Sequence, residues 1–196
     1  MGTIAIDPAR DVLIIVDLQN DFCPGGALAV PDGHEIIPLI NPLLRHRWFA
    51  VATKDWHPVD HCSFTHQGGP WPPHCVQQTS GAELHPALKT TSIQLVIAKG
   101  AQRDKEAYSG FQGTELAKIL RQRGVKRVVL CGLATDYCVR ATALDALREG
   151  FEVVVLEDAI RGVEVMPGDC QRALEELRQK GAQLAASADL TFDERP

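Results

Sequence analysis

Five short apolar runs, rich in β-branched residues, alternate with helical patterns along this chain of 196 residues. Within the runs the apolar character is nearly continuous, which is typical of strands that are covered on both faces. The runs lie at 12–17, 49–55, 93–100, 127–132 and 152–158, and a shorter run at 182–187 is a candidate sixth strand at an edge. The alternation predicts an α/β fold of three layers, in which helices cover both faces of a mostly parallel sheet of five to six strands.

Helical patterns fill three of the intervals, at 114–124, 136–150 and 167–181. Each ends on a glycine, and the last has Pro167 at its start, which is the expected punctuation of helices. No repeat, low-complexity tract or linker divides the chain, and 45% of its residues are hydrophobic. We therefore expect one domain over residues 1–196, with a sizeable core.

Charge and composition argue against several classes of partner. The net charge is −5 and no basic run occurs, so we expect no nucleic-acid partner. No stretch approaches the ~18 apolar residues of a membrane span. No phosphate-binding glycine motif follows the first strand. Because the start "MGTIAIDPARDVLIIVD" has no signal-peptide pattern, we expect a cytoplasmic protein whose six cysteines are reduced.

Charged residues follow four of the predicted strands: Asp17, Asp55, Lys99 and Asp158. In open α/β sheets, ligands bind at the carboxyl ends of the strands. Any one such residue is more often a solvated loop residue. Several of them on the same edge as a cysteine favour a functional site.

That cysteine is Cys138, in the first helical turn after the strand in "LCGLATDYCVRATA". A helix N-terminus favours a thiolate, because it carries partial positive charge and free N–H donors. Asp17 is a candidate acid–base group, Lys99 could hold thiolate and carboxylate by its charge, and the amides of Ala134 and Cys138 could bind an oxyanion. The alternative is that Cys138 is a small buried core residue.

The segment 54–92 shows no convincing helix or strand, yet it holds five of the seven histidines and two of the three tryptophans. A loop of this length is usually functional or disordered, and its composition fits disorder poorly. Asp55 and His57 are two residues apart, so their side chains point the same way in an extended segment. With His61 or His74 they could bind Zn²⁺, Fe²⁺ or Mn²⁺.

Two alternatives to that metal site remain. The histidines could be surface loop residues, which is the commoner position of any one histidine. Cys62 and Cys75 could instead bind a structural zinc, although their spacing is not that of a paired CxxC motif.

Six segments, in order along nearly the whole chain, carry a family resemblance: "VDLQNDF", "KDWHPVDHCSF", "WPPHCV", "KG", "YSGF" and "CGLATDYCVRATALDA". They resemble the bacterial nicotinamidases of the isochorismatase-like cysteine hydrolase superfamily. The aspartate, lysine and cysteine elements mark the superfamily. "DWHPxxH" together with "WPPHCV" is the narrower signal, because isochorismatases proper lack this metal set.

The resemblance implies a role for each matching residue. The catalytic triad would be Asp17, Lys99 and Cys138, and the amides of Ala134 and Cys138 would hold the oxyanion. One divalent metal ion per chain would be bound by Asp55, His57 and His74. The substrate would be contacted by Phe22, Trp71, Tyr108 and Leu133. His61 matches a position that ligates the metal in some relatives and lies in its outer shell in others. A cis peptide between Leu133 and Ala134 is also implied.

The implied reaction is hydrolysis of nicotinamide, and of pyrazinamide as well, through a Cys138 thioester. In this hypothesis the ring nitrogen of the substrate binds the metal directly or in place of a water. The alternatives are another small-amide hydrolase of the superfamily and a metal-binding module without turnover. The sequence leaves the native metal open, and it leaves open whether the chain forms a homo-oligomer.

Overall fold

A computed structural model describes residues 2–192 of the chain. Its strands are β1 Ile4–Ile6, β2 Asp11–Val16, β3 Phe49–Asp55, β4 Leu95–Lys99, β5 Arg127–Leu133, β6 Glu152–Arg161, β7 Gln183–Ala185 and β8 Leu190–Phe192. Its α-helices are α1 Ile37–Leu43, α2 Leu116–Gln122, α3 Arg140–Arg148 and α4 Asp169–Gln179. No helix among these residues is both long enough and apolar enough to cross a membrane.

Six strands form one parallel sheet in the order β4-β3-β2-β5-β6-β7. The predicted fold class is thereby confirmed, and the sixth strand lies at an edge as expected. The order reverses at the centre, because β3 and β4 add to one side of β2 while β5, β6 and β7 add to the other. Such a reversal is where α/β sheets place their ligands.

The packing of the central strand β2 explains why its sequence is apolar from Val12 to Val16. Leu13 and Ile15 point into a core that includes Ile37 and Ile40 of α1. Val12, Ile14 and Val16 point into a second core with side chains of α2, α3 and α4. All five β2 side chains are fully buried, so helices cover both faces of the sheet and the strand has no solvent-facing side.

Two features of the fold were not predicted. Helix α1 contains Pro38 and Pro42, which disfavour a helix in a sequence pattern. Pro38 lies in the first turn, where its missing N–H would have no partner within the helix, whereas Pro42 lies inside the helix and costs it one hydrogen bond. The strands β1 and β8 pair with each other in a small parallel sheet, with Ile4 opposite Leu190. Each has only three residues, too few to show a periodic pattern.

The prediction that Asp158 ends a strand at the site was wrong. β6 continues to Arg161, and Asp158 lies within it. Its carboxylate accepts hydrogen bonds from the backbone N–H (2.8 Å) and hydroxyl (2.6 Å) of Ser187. This carboxylate therefore anchors the turn after β7 and has no part in the site.

The long segment 54–92 is ordered by backbone hydrogen bonds to the sheet edge and within itself, as its composition suggested. The N–H of Trp56 donates to the carbonyl of Lys99, and the N–H of His57 donates to that of Cys75 (3.0 Å each). Phe64 is fully buried beneath the segment and lies beside the rings of His57 and His74. The segment consequently holds His57, His61 and His74 inside the protein, whereas His66 is exposed.

Candidate active site

The carboxyl ends of four neighbouring strands bring the predicted polar groups together. Asp17 follows β2, whereas Asp55 and Lys99 are the last residues of β3 and β4 and lie opposite each other in register. Cys138 lies in a helical turn, Thr135–Val139, that connects β5 to α3. Parallel strands place these ends at one edge of the sheet, so residues up to 121 positions apart in sequence become neighbours.

Lys99 connects the other three groups. Its ammonium donates to Asp55 Oδ1 (2.5 Å), to the Ala107 carbonyl (3.1 Å) and to Cys138 Sγ (3.5 Å). The same nitrogen lies 2.9 Å from Asp17 Oδ2. Burial acts against the charge, but the carboxylates of Asp17 and Asp55 outweigh it and raise the pKa of Lys99 well above its usual value. A cation therefore lies permanently beside the thiol.

Asp17 is positioned as a proton acceptor. One carboxylate oxygen accepts the Thr53 hydroxyl (2.6 Å), while the other, Oδ2, is buried and accepts no aligned hydrogen bond. Burial raises the pKa of the Asp17 carboxyl, although Lys99 opposes this. A buried oxygen with spare acceptor capacity and raised basicity can take a proton from a neighbouring thiol.

A glycine next to the end of β2 makes this placement possible. Asp17 itself has a left-handed backbone, with φ of 46°. Gly132 of β5, at φ of 114°, packs so closely that a Cβ there would lie 2.1 Å from the carbonyl oxygen of Val16. Any larger residue would push the two central strands apart and move Asp17 away from the turn that carries Cys138.

The thiol of Cys138 is buried, which changes one expectation. The sequence suggested a pKa lowered by the helix start, whereas burial raises the pKa of Cys138 well above its usual value, with Lys99 acting in the opposite direction. Desolvation of the thiolate exceeds its stabilisation by the Lys99 charge. The resting group is therefore a thiol, and its reaction requires an adjacent base.

Replacing Lys99 should make thiolate formation harder still, because the charge that lowers the Cys138 pKa is removed. In Lys99→Ala we expect the pH midpoint of Cys138 alkylation to rise by roughly one unit. The measurement is iodoacetamide labelling of the Cys138 peptide, followed by mass spectrometry across pH. Lys118→Ala is the control, since Lys118 is exposed and pairs with Glu115. An unchanged midpoint in Lys99→Ala would show that Lys99 does not act on the thiolate.

Asp55, His57 and His74 come together on the cavity side of Lys99, as the sequence predicted. They can offer ligand atoms that all lie within 4.8 Å of one another, and all three side chains are buried. The Nε2 atoms of His57 and His74 lie 3.5 Å and 4.0 Å from Asp55 Oδ2. Although burial acts in the opposite direction, Lys99 holds the pKa of Asp55 well below its usual value, so this oxygen is anionic.

The hydrogen bonds of the two histidines show that this set fits a cation. His57 Nδ1 donates to the Gly100 carbonyl (2.9 Å), and His74 Nδ1 donates to the Pro72 carbonyl (2.8 Å). A neutral imidazole with its proton on Nδ1 presents a lone pair at Nε2. Two lone pairs and a carboxylate oxygen then point at one position with no donor between them, which is the arrangement of a divalent metal site.

His61 lies beside this set but faces away from it. Its ring stacks on His57 with centroids 4.1 Å apart. Its Nε2 donates to the Lys105 carbonyl (3.0 Å), and its Nδ1 accepts the Ser63 hydroxyl (2.7 Å), so both nitrogens are engaged. Among residues 2–192, the groups able to hold a metal include neither Cys62 nor Cys75, so the structural-zinc alternative gains no support.

A small cavity opens beside these groups, and aromatic rings form its wall. Phe22, Trp71 and Tyr108 all line it, and the indole N–H of Trp71 donates to the Tyr108 hydroxyl (3.0 Å). Ala134 and Cys138 line it as well, and the peptide between Leu133 and Ala134 is cis. The structure places the Leu133 side chain elsewhere, fully buried in the core beside Gly33.

Three residues with clear positions at the site were not predicted. Tyr137 and Glu106 line the cavity. Gln19 is fully buried, and its side chain hydrogen-bonds both the N–H and the carbonyl of Asp55 (2.8 Å each). The sequence held a signal for two of them. Gln19 is a polar residue inside the "VDLQNDF" segment, and Tyr137 directly precedes Cys138.

The fold and the site together define the class of protein. The isochorismatase domain matches residues 11–189, and the chain belongs to that family. Within the family, it is similar to proteins that are named nicotinamidase or pyrazinamidase. It is 46% identical over 187 residues to the nicotinamidase/pyrazinamidase of Mycobacterium tuberculosis, covering 90% of this chain and 98% of that one.

Two solved structures share the fold over nearly their whole length. The pyrazinamidase of Pyrococcus horikoshii in complex with zinc is 54% identical, with a TM-score of 0.84, over 90% of this chain and 99% of that one. PnC1 from L. infantum in complex with nicotinate is 41% identical, with a TM-score of 0.94, over 97% of this chain and 100% of that one.

Proposed function

We propose that this protein is a nicotinamidase, which hydrolyses nicotinamide to nicotinate and ammonia, accepts pyrazinamide as well, and serves NAD salvage. The observation that carries the proposal is the buried contact of Lys99 with Asp17, Asp55 and Cys138 at the floor of an aromatic cavity. The names of the relatives and the nicotinate in the L. infantum structure support the same substrate class.

In the first half of the reaction, Cys138 is the nucleophile and Asp17 the base. Asp17 takes the thiol proton as Sγ attacks the carboxamide carbon, and Lys99 stabilises the charge on both groups. The amides of Ala134 and Cys138 hold the oxyanion of the tetrahedral intermediate. Asp17 then protonates the amide nitrogen, the C–N bond breaks, ammonia leaves and a thioester remains.

In the second half, water replaces the thiol as nucleophile. Asp17, again ionised, takes a proton from water as its oxygen attacks the thioester carbon. The C–S bond breaks, Cys138 recovers its proton from Asp17, and nicotinate is released. One buried carboxylate serves both halves, with one oxygen bonded to Thr53 and the other ion-paired with Lys99, which is why its position between them matters.

Asp55, His57 and His74 would hold one divalent ion, for which Zn²⁺, Fe²⁺ and Mn²⁺ all suit the donor set. When bound, this ion supplies a Lewis acid that can orient the pyridine ring by its nitrogen. Phe22, Trp71 and Tyr108 enclose the ring, and His61 supports the site from its outer side.

Ammonia release from a panel of small amides tests the proposal. We expect nicotinamide and pyrazinamide to be hydrolysed well, and benzamide poorly, because benzamide lacks the ring nitrogen. Preference for an aliphatic amide would favour another hydrolase of the family. No turnover of any amide by the metal-loaded protein would leave only a metal-binding module.

Removal of the metal should separate substrate binding from thiol reactivity. We expect about one metal ion per chain by elemental analysis, loss of activity on chelation, and recovery with a divalent ion. His74→Ala should weaken metal binding by about 100-fold or more, because it deletes a direct ligand. His66→Ala is the matched control, since His66 is exposed and bonds only the Val59 carbonyl.

Cys138 should stay reactive to alkylation in the metal-free protein, because Asp17 and the turn that carries the thiol do not belong to the loop. Full turnover and unchanged nicotinamide affinity without metal would contradict a substrate-orienting ion.

A further inference from the structure

We propose that Glu106 determines specificity by charge: its carboxylate on the cavity wall disfavours a bound carboxylate, so the enzyme binds the neutral amide in preference to its own anionic product. This inference rests on the proposed function and extends it to how the product leaves. Glu106 is not one of the groups that make or break bonds in the reaction above.

The position of Glu106 is fixed by the segment that also contacts the catalytic lysine. Glu106 lines the cavity together with Cys138, His74 and Tyr108. Its Oε1 accepts the N–H of the following residue, Ala107 (3.0 Å), whose carbonyl accepts the Lys99 ammonium (3.1 Å). The carboxylate is thereby tied to the backbone of the residue that also contacts Lys99.

The charge of the cavity wall is one-sided. Of the residues that the structure describes, Asp55 and Glu106 are the acidic groups that line it and no lysine or arginine does, although Lys99 and Lys105 share a neighbouring pocket with Glu106. Among the described residues, none of the salt bridges neutralises Glu106. Glu106 lines the same cavity as His74 and Tyr108, so its charge borders the space that a ligand would occupy.

The balance of charge shows what this carboxylate would do. Lys99 with Asp17 and Asp55 carries one formal negative charge when both carboxyls are ionised. With a divalent ion bound at Asp55, the net charge of these groups would become +1, and that charge would retain an anion. Glu106 cancels the excess. Nicotinamide and nicotinate have nearly the same shape but differ in charge. The negative charge of Glu106 therefore repels the product and has little effect on the binding of the substrate.

The experiment compares the two ligands in one protein. Kd values for nicotinate and nicotinamide are measured by titration calorimetry on zinc-loaded Cys138→Ala, with and without Glu106→Gln. Gln keeps an oxygen to accept the Ala107 N–H. We expect the ratio of the nicotinate Kd to the nicotinamide Kd to fall by about three- to tenfold, and the change to shrink in 1 M salt.

Glu106→Asp keeps the charge and should restore most of the wild-type ratio. Glu152→Gln is the matched control, because Glu152 is an exposed glutamate at the start of β6, the end of that strand away from the site. If Glu106→Gln changes both Kd values in parallel, or leaves the ratio unchanged, the role of Glu106 is structural and the inference is overturned. If the parent protein binds neither ligand, the proposed function fails, and this inference fails with it.

Discussion

Cys138→Ala should reduce the rate of ammonia release from nicotinamide by about 10⁴-fold or more, because covalent catalysis has no other nucleophile in the cavity. Cys138 lies 3.5 Å from the Lys99 ammonium, and its side chain is buried against the cavity floor. Alanine fits the same space and removes a thiol whose charged form is already disfavoured by burial. The expected loss of stability is therefore about 1 kcal/mol, and the fold and metal content should persist.

Cys131→Ala is the matched control. Cys131 is a fully buried cysteine on β5, in the core on the α1 side of the sheet. Its replacement should lower the melting temperature by a comparable amount without a large effect on turnover. More than a few per cent of wild-type activity in Cys138→Ala, after metal content is matched, would exclude Cys138 as the nucleophile.

Asp17→Asn should reduce kcat/KM by about 10³-fold, because the amide cannot accept the thiol proton and cannot return one to ammonia. The substitution preserves shape, and an amide oxygen can still accept the Thr53 hydroxyl that now donates to Asp17 (2.6 Å). Burial keeps the pKa of the native carboxyl raised, so the wild-type group is a stronger base than an exposed aspartate. Steady-state ammonia release and thermal unfolding are measured in parallel.

Asp158→Asn is the matched control, because it makes the same substitution at another aspartate of the sheet. Its carboxylate bonds Ser187 and does not line the cavity, so the substitution should affect stability and spare turnover. If Asp17→Asn loses stability but keeps kcat/KM, Asp17 is a structural partner of Lys99 and another group transfers the proton.

The sheet was predictable because burial on both faces leaves a strong sequence pattern. Val12 to Val16 must be apolar at every position, and β5 is buried in the same way, whereas β4 lies at the sheet edge and exposes Val96. Helix α1 was missed because Pro38 and Pro42 break the pattern, and β1 and β8 because three residues cannot establish a period. Asp158 was misplaced because β6 runs on past its apolar run.

The candidate site was predictable where chemistry-bearing residues follow strands or share a motif. Asp17, Asp55, Lys99 and Cys138 belong to this group, and the structure brings them together. The buried state of Cys138 was not predictable, because desolvation depends on how residues from the whole chain enclose the thiol. Glu106 carries no motif, and only its backbone contact through Ala107 to Lys99 reveals its place.

Because β5 pairs with β2 on the side opposite β3, the order of synthesis on the ribosome separates the two halves of the sheet in time. Asp17, Asp55 and Lys99 leave the exit tunnel before β5, so a nascent chain of β2, β3 and β4 has most of the polar site but no nucleophile. During that interval one edge of β2 lacks its partner, and its backbone is open to pairing with other chains. Docking of β5 closes that edge of β2 and brings the turn that carries Cys138 to the site.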